Sequence, residues 1–229
     1  AYAAPNFDLK AVLFRTSNND FSSTLNLSSE IKINNGTNER NAYKPQVSQI
    51  GESNKCMLVW TKNNGAFDKI VTKVLSLDSN ATPNFINSPD TESDIIISQN
   101  GSHVGKDPSI SLNDMGDGLI VWQEGTSTPR IYYKRVTNYG FNNSSTSPIG
   151  FRITDFNSTQ TNPKVSLDQY GNGLVVWIDL RAFPNKVYGR RIVGYEPVGS
   201  DFRLGNDSVY ELISDLDINE NLNGFVAWE

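Results

Sequence analysis

Glu124 and Asp179 each stand two residues after a tryptophan, Trp122 and Trp177, in matching stretches of the chain. Paired carboxylates are what cleavage of a glycosidic bond requires. One acts as acid and the other as base or nucleophile, with the two groups about 5–9.5 Å apart. Lys62 takes the corresponding place after Trp60. Turns beginning at Asp114 and Asp168 add carboxylates, although turn chemistry alone explains acids there. A second set is Ser48, Ser111, Ser166 and Ser214, each preceded by Val or Ile. Such hydroxyls, with nearby carbonyls, are the hard oxygen donors that hold Ca²⁺ or Na⁺. Small side chains on crowded inner strands are the plainer account of the same pattern. Tyr139, Phe141, Phe183 and Tyr195 fall in irregular segments and are the candidate ligand-binding aromatics.

Other chemistries are excluded by count. His103 is the one histidine and Cys56 the one cysteine. A cysteine zinc site and an internal disulfide lack the residues they need, and any histidine-centred mechanism would have to rest on His103 alone. The net charge is -5 and no basic block appears, which argues against nucleic acid as a partner. No apolar run reaches the ~18 residues of a membrane helix, so no membrane insertion is expected. The opening Ala1-Tyr2-Ala3-Ala4-Pro5 carries an A-x-A pattern like an export cleavage region. An exported, periplasmic or cell-surface protein is the expectation from it.

The elements that must position these residues form a repeat. Gly173-Leu174-Val175-Val176-Trp177 recurs as Gly118–Trp122, Cys56–Trp60 and Gly224–Trp228, and the four copies hold all the tryptophans. Their spacings are 62, 55 and 51 residues. Each copy reads as an apolar interior strand, B. A strand A precedes it: Pro45–Ser48, Pro108–Ser111, Pro163–Ser166 and Glu211–Ser214. A strand C follows (Ile70–Leu75, Ile131–Val136, Val187–Ile192), placing Lys73, Lys134 and Arg190 in one slot as a solvated face. An alternating strand D ends each unit (Asp94–Ser98, Gly150–Thr154, Asp201–Gly205). Asn-Gly and Asp-Gly pairs punctuate the chain, and no window of helical periodicity stands out. The class is all-β. Cys56, in the slot of a glycine, reads as a small buried hydrophobe.

The fourth unit has A and B at the C-terminus, and its C and D are found at the N-terminus in Leu9–Phe14 and Glu30–Asn34. Pairing the two halves closes a ring of four-stranded sheets. The predicted architecture is one domain, residues 1–229, forming a four-bladed β-propeller. Blade 1 covers about 43–100, blade 2 about 106–156 and blade 3 about 161–205. Blade 4 is split between 206–229 and 1–34.

The unit Pro-x-Val-Ser, Gly-Leu-Val-Val-Trp, Val-Tyr-x-Arg-Arg-Ile resembles tandem repeats of exported and surface proteins of bacteria, within the wider β-propeller class. The resemblance spans nearly the whole chain and implies a fold, with no catalytic motif. The four-bladed shape is similar to that of hemopexin, whose own repeat pattern is absent, as is the sialidase Asp-box. A repeated scaffold without a catalytic constellation leads to the expectation of a non-enzymatic binding module whose ligand is a glycan or a protein. The alternatives are a glycoside-processing enzyme with carboxylates at the channel mouth, and a structural domain of a larger assembly.

Overall fold

The computed structural model describes residues 10–11, 14–16, 25–27, 31–33, 42–48, 51, 54–63, 66–77, 83–85, 95–98, 103–141, 150–205 and 212–229. The export-like segment 1–5, Leu9, Val12, Leu13, Glu30 and Asn34 lie outside them, as does the side chain of Ser214. Every regular element among the described residues is a strand.

The N-terminal strands are β1 (Lys10–Ala11), β2 (Phe14–Thr16), β3 (Leu25–Leu27) and β4 (Ile31–Lys32). They form two small antiparallel pairs, β1 with β4 and β2 with β3. A five-stranded sheet follows: β5 (Ala42–Val47), β6 (Lys55–Asn63) and β7 (Asp68–Leu77), with β8 (Pro83–Phe85) and β9 (Ile95–Ile96) both pairing with β7. The next sheet is β10 (Gly105–Leu112), β11 (Gly118–Glu124), β12 (Arg130–Val136) and β13 (Phe151–Arg152), in chain order. The third is β14 (Gln160–Leu167), β15 (Gly173–Asp179), β16 (Lys186–Val193) and β17 (Glu196–Arg203). A hairpin of β18 (Ile213–Ile218) and β19 (Gly224–Trp228) completes the described strands. The all-β, propeller-like reading therefore holds. Among the described residues β19 pairs only with β18, so the closing of the ring is not visible in the strand pairing.

The A strands carry a repeated irregularity with a cause in sequence. Proline has no N–H to give to a ladder and sits in strands where a bulge removes that demand. The register slips between Tyr43 and Gln46, between Lys106 and Ser109, and between Thr161 and Lys164. Each slip spans one of the prolines. The residue before each proline is left-handed: Lys44 at φ 53°, Asp107 at 53° and Asn162 at 50°.

The core lies between sheets. Trp60, Trp122 and Trp177 are wholly buried. Each central strand faces its neighbours on both sides, which is why its sequence is apolar at consecutive positions. Met57, Val59, Ile70 and Ile97 of one sheet pack with Ile120, Trp122, Val136 and Tyr139 of the next. Leu119, Val121 and Ile153 repeat the arrangement with Val175, Trp177 and Ile192. Ile33, just after β4, does the same against Trp60 and Val71. Truncating one such tryptophan to alanine costs about 3–5 kcal/mol.

The outer pairing of the N-terminal strands repeats that of the complete sheets. Tyr132 opposes Arg152 and Tyr133 opposes Phe151. Tyr188 opposes Arg203 and Gly189 opposes Phe202, while Val71 opposes Ile96 and Thr72 opposes Ile95. Lys10 opposes Lys32 and Ala11 opposes Ile31 in the same relation. The β1–β4 pair thus has the register of an outer C–D pair.

Candidate functional site

The two carboxylates that follow tryptophans are structural caps. Trp122 Nε1 donates to Glu124 Oε2 at 2.6 Å, and Trp177 Nε1 donates to Asp179 Oδ2 at 3.0 Å. Residues two apart on a strand share a face, so the acid lies beside the indole it serves. Both acids are buried. Asp179 also accepts from Ser158 Oγ, Gln160 Nε2, and the backbone and guanidinium of Arg181. Burial pushes its carboxyl up, but the bonds from Arg181, Ser158 and Trp177 outweigh this and hold it below the usual carboxylate range. A carboxylate so occupied has no lone pair directed at a substrate.

The first sheet lacks the cap. Trp60 Nε1 is buried with no partner among the described residues, and Lys62 stands where the acid should be. Lys62 also opposes Lys69 across the strand pair, whereas Glu124 opposes Arg130. Lys62→Glu is expected to satisfy the indole and replace a like-charge pair by an opposite one, stabilising the fold by about 1 kcal/mol. Urea denaturation checks this, with Lys62→Ala giving no such gain.

The basic slot of the C strands is taken up by separate partners. Lys73 Nζ donates to Ile33 O at 2.9 Å, and Lys134 lies 5.0 Å from the Phe141 ring centroid. Arg190 Nη1 meets Asp201 Oδ1 at 3.0 Å. Arg181 also meets Asp201, at 2.9 Å, and lies between the rings of Phe156 and Tyr188.

The aromatic candidates divide. Tyr139 and Tyr195 are buried, not exposed as expected of ligand platforms, and Phe141 is partly buried against the same core. Each tyrosine ring underlies a turn glycine. A Cβ on Gly116 or Gly171 would come within 2.2 Å of Tyr139 or 2.5 Å of Tyr195, and both glycines have positive φ. Phe183 is 87% exposed. Cys56 is buried, which pushes its thiol up to about 11.

The inner strands β5, β10, β14 and β18 line a polar cavity of about 350 Å³. The serines tie one inner strand to the next. Ser109 Oγ accepts from Val165 N at 3.2 Å, and Ser111 Oγ from Leu167 N at 3.1 Å. Ser166 Oγ accepts from Ile218 N at 3.1 Å. An exposed inner edge is satisfied by the hydroxyl of the neighbouring sheet. Ser48 instead accepts from Met57 N within its own sheet.

Ser214 is not the fourth member of that slot. Ser111 opposes Leu119 and Ser166 opposes Leu174. In the last hairpin the residue in this place is Asp217, opposite Phe225. The cue was spacing: Ser111, Ser166 and Asp217 each precede their tryptophan by 11 residues, while Ser214 precedes Trp228 by 14. One slot earlier stand Gln46, Ser109, Lys164 and Asp215. Asp215 and Asp217 both line the cavity and are both exposed to it. Two residues apart on one strand, they are separated by about 6.6 Å along it. Asp215 Oδ1 accepts from Leu216 N and Asp217 Oδ1 from Ile218 N. Oδ2 of each carries no hydrogen bond among the described residues.

A second carboxylate cluster joins the first two sheets. Asp68 accepts from Asn63 and faces Lys106, and Asp107 pairs with Lys44. Burial, the Asp68 bond and the two negative charges raise the Tyr43 phenol. These acids are engaged with cations and stand outside the cavity lining. Among the described residues no group of three or more His, Cys, Asp or Glu is disposed to hold a metal.

No protein-family model matches the chain, and no curated protein sequence matches it. Among solved structures it is similar to an endo-arabinase from Bacteroides thetaiotaomicron, with a TM-score of 0.51 and 12% identity. The match covers 90% of this chain and 77% of that one. That neighbour is an enzyme, so the expectation of a non-enzymatic module, which rested on the repeated scaffold, is corrected: a scaffold of this fold does not speak against enzymatic activity. The identity is low enough that the likeness speaks to fold alone, and it makes this chain an all-β protein of propeller-like architecture.

Proposed function

We propose that the chain is a glycoside-processing enzyme whose acid–base pair is Asp215 and Asp217, on the inner strand β18. The observation that carries the reading is that both carboxylates face one polar cavity from one strand face. Their backbone positions lie about 6.6 Å apart along the strand, a spacing from which two carboxyl groups can reach the separation of about 5–9.5 Å that glycosidic cleavage uses. One protonates the leaving oxygen while the other activates water or attacks the anomeric carbon. Lys164 occupies the Asp215 slot on the adjoining inner strand and supplies positive charge in the same cavity. The likeness to an endo-arabinase supports a furanoside or pyranoside polymer as substrate class.

Around the cavity we propose a ring closed as four blades, with β1–β4 completing the sheet of β18 and β19. Blade 4 then combines residues 206–229 with 1–34, after blades at about 43–100, 106–156 and 161–205. Three features support this. The β1–β4 register is that of an outer pair. Ile33 packs on the first sheet as Ile97 and Ile153 pack on the next ones. Trp228 remains 39% exposed, beside an apolar cleft of about 630 Å³, where its counterparts are fully covered.

The test is release of reducing ends from linear arabinan, xylan, pectin and β-glucan by the wild-type protein and by Asp215→Asn and Asp217→Asn. Cleavage of one polymer that both substitutions abolish supports the reading. Cleavage unaffected by both, or no cleavage of any, contradicts it.

A further inference from the structure

The A–B turns around one mouth of the cavity carry apolar side chains where turn chemistry favours polar ones. Tyr170 is 67% exposed, and Met115, at the equivalent place, is 70% exposed. The backbone beneath Tyr170 is fixed. Its N–H and that of Asn172 both donate to Asp168 Oδ1 at 2.8 Å. Gly171 is left-handed, and the buried Tyr195 ring packs under it. Neighbouring turns are joined to this one: Asn113 Nδ2 donates to Gln169 O at 3.0 Å, and Gln169 N donates to Glu220 Oε2 at 3.3 Å. Gln169, which precedes the tyrosine, and Glu220, which accepts from Gln169 N, line the cavity itself.

An exposed phenol ring on a fixed turn, with an amide and a carboxylate on the adjoining cavity wall, presents what a sugar ring presents in reverse. The apolar face of the sugar stacks on the aromatic, and its hydroxyls meet the polar rim. Tyrosine supplies this large contact at low entropic cost because only two side-chain angles need ordering. We infer that Tyr170 is a stacking platform for a sugar unit of a chain whose neighbouring unit enters the cavity past Gln169 and Glu220. The inference rests on the reading of the cavity as a glycan site and adds a subsite that holds polymer and takes no part in bond cleavage.

Retardation in native gels cast with linear arabinan, xylan, pectin or β-glucan reads binding directly. The probe protein is Asp217→Asn, with and without Tyr170→Ala. Tyr170→Ala is expected to weaken retention about tenfold, the scale of one aromatic stacking contact, and Tyr170→Phe to keep it. In the catalytically intact protein Tyr170→Ala is expected to raise KM for polymer by a similar factor with kcat unchanged, and to leave an aryl monoglycoside unaffected. The melting temperature stays put because the side chain is solvated. Tyrosine-dependent retention supports the inference even where no polymer is cleaved, an outcome that removes only the hydrolytic reading. Equal retention by Tyr170→Ala and its parent, or retention on none of the four polymers, overturns the inference.

Discussion

Asp217→Asn is expected to lower the rate of glycosidic cleavage by roughly 10²–10⁴-fold, the contribution of a positioned acid or base. The amide keeps the shape of the side chain and can still accept from Ile218 N through Oδ1, as the carboxylate does. It cannot take up or give a proton, so the loss falls on the chemical step. Asp215→Asn is expected to lose a similar factor. Because the two act as a unit, the double substitution should be little worse than either alone. Initial rates on polymer, with circular dichroism showing an unchanged fold, separate this result from unfolding. By contrast Glu124→Gln, at the buried indole cap, should change stability and leave the rate per folded molecule unaltered.

Asp179→Ala is the substitution expected to cost most in stability, about 3–5 kcal/mol. It strips partners from Trp177 Nε1, Ser158, Gln160 and Arg181 together. The guanidinium keeps Asp201 but loses its 2.6 Å contact to Asp179 in a nearly solvent-free place. The pH dependence has a definite sign. The folded-state pKa of Asp179 is depressed, with burial opposing and the hydrogen bonds prevailing. Its contribution is therefore complete above the unfolded value of about 3.9 and is lost as pH falls through the folded one. Urea midpoints between pH 7 and pH 3 should fall more steeply in the wild type than in Asp179→Ala. Parallel curves would remove the carboxylate from the explanation.

Much of this scaffold was legible because its pattern is dictated by packing. An interior strand flanked by sheets on both faces must be apolar at consecutive positions, so Gly-Leu-Val-Val-Trp announced itself four times. The outer D strands alternated for the same reason, and β1–β4 has the register that alternation implied. The site was less legible because its signals are geometric. Pattern matching on Val-Ser and Ile-Ser put Ser214 in the inner slot, whereas the tryptophan spacing and the cross-strand partner Phe225 put Asp217 there. Glu124 and Asp179 were visible as carboxylates, but nothing in a linear chain says that a buried indole two residues back needs an acceptor. Tyr139 and Tyr195 looked like loop aromatics. Their burial follows from the turn glycines Gly116 and Gly171, whose missing side chains leave room for the rings. Tyr170 sits among the Asp and Gly that mark a turn, and only the fold shows that its side chain stands exposed beside the cavity.

The closed ring proposed around the cavity depends on β1 lying against β19. Equivalence with the complete sheets fixes the register. Val176 opposes Gly189, which opposes Phe202, and Ala11 opposes Ile31 in the same way, so Ala227 should face Ala11. Opposed residues of an antiparallel pair have Cα atoms about 4.5–5.5 Å apart, within disulfide reach. Ala11→Cys with Ala227→Cys, in a Cys56→Ala background, is therefore expected to oxidise to an intramolecular disulfide in the monomer, mapped by peptide mass spectrometry. Free thiols after oxidation, or disulfides only between separate chains, would contradict the closed ring.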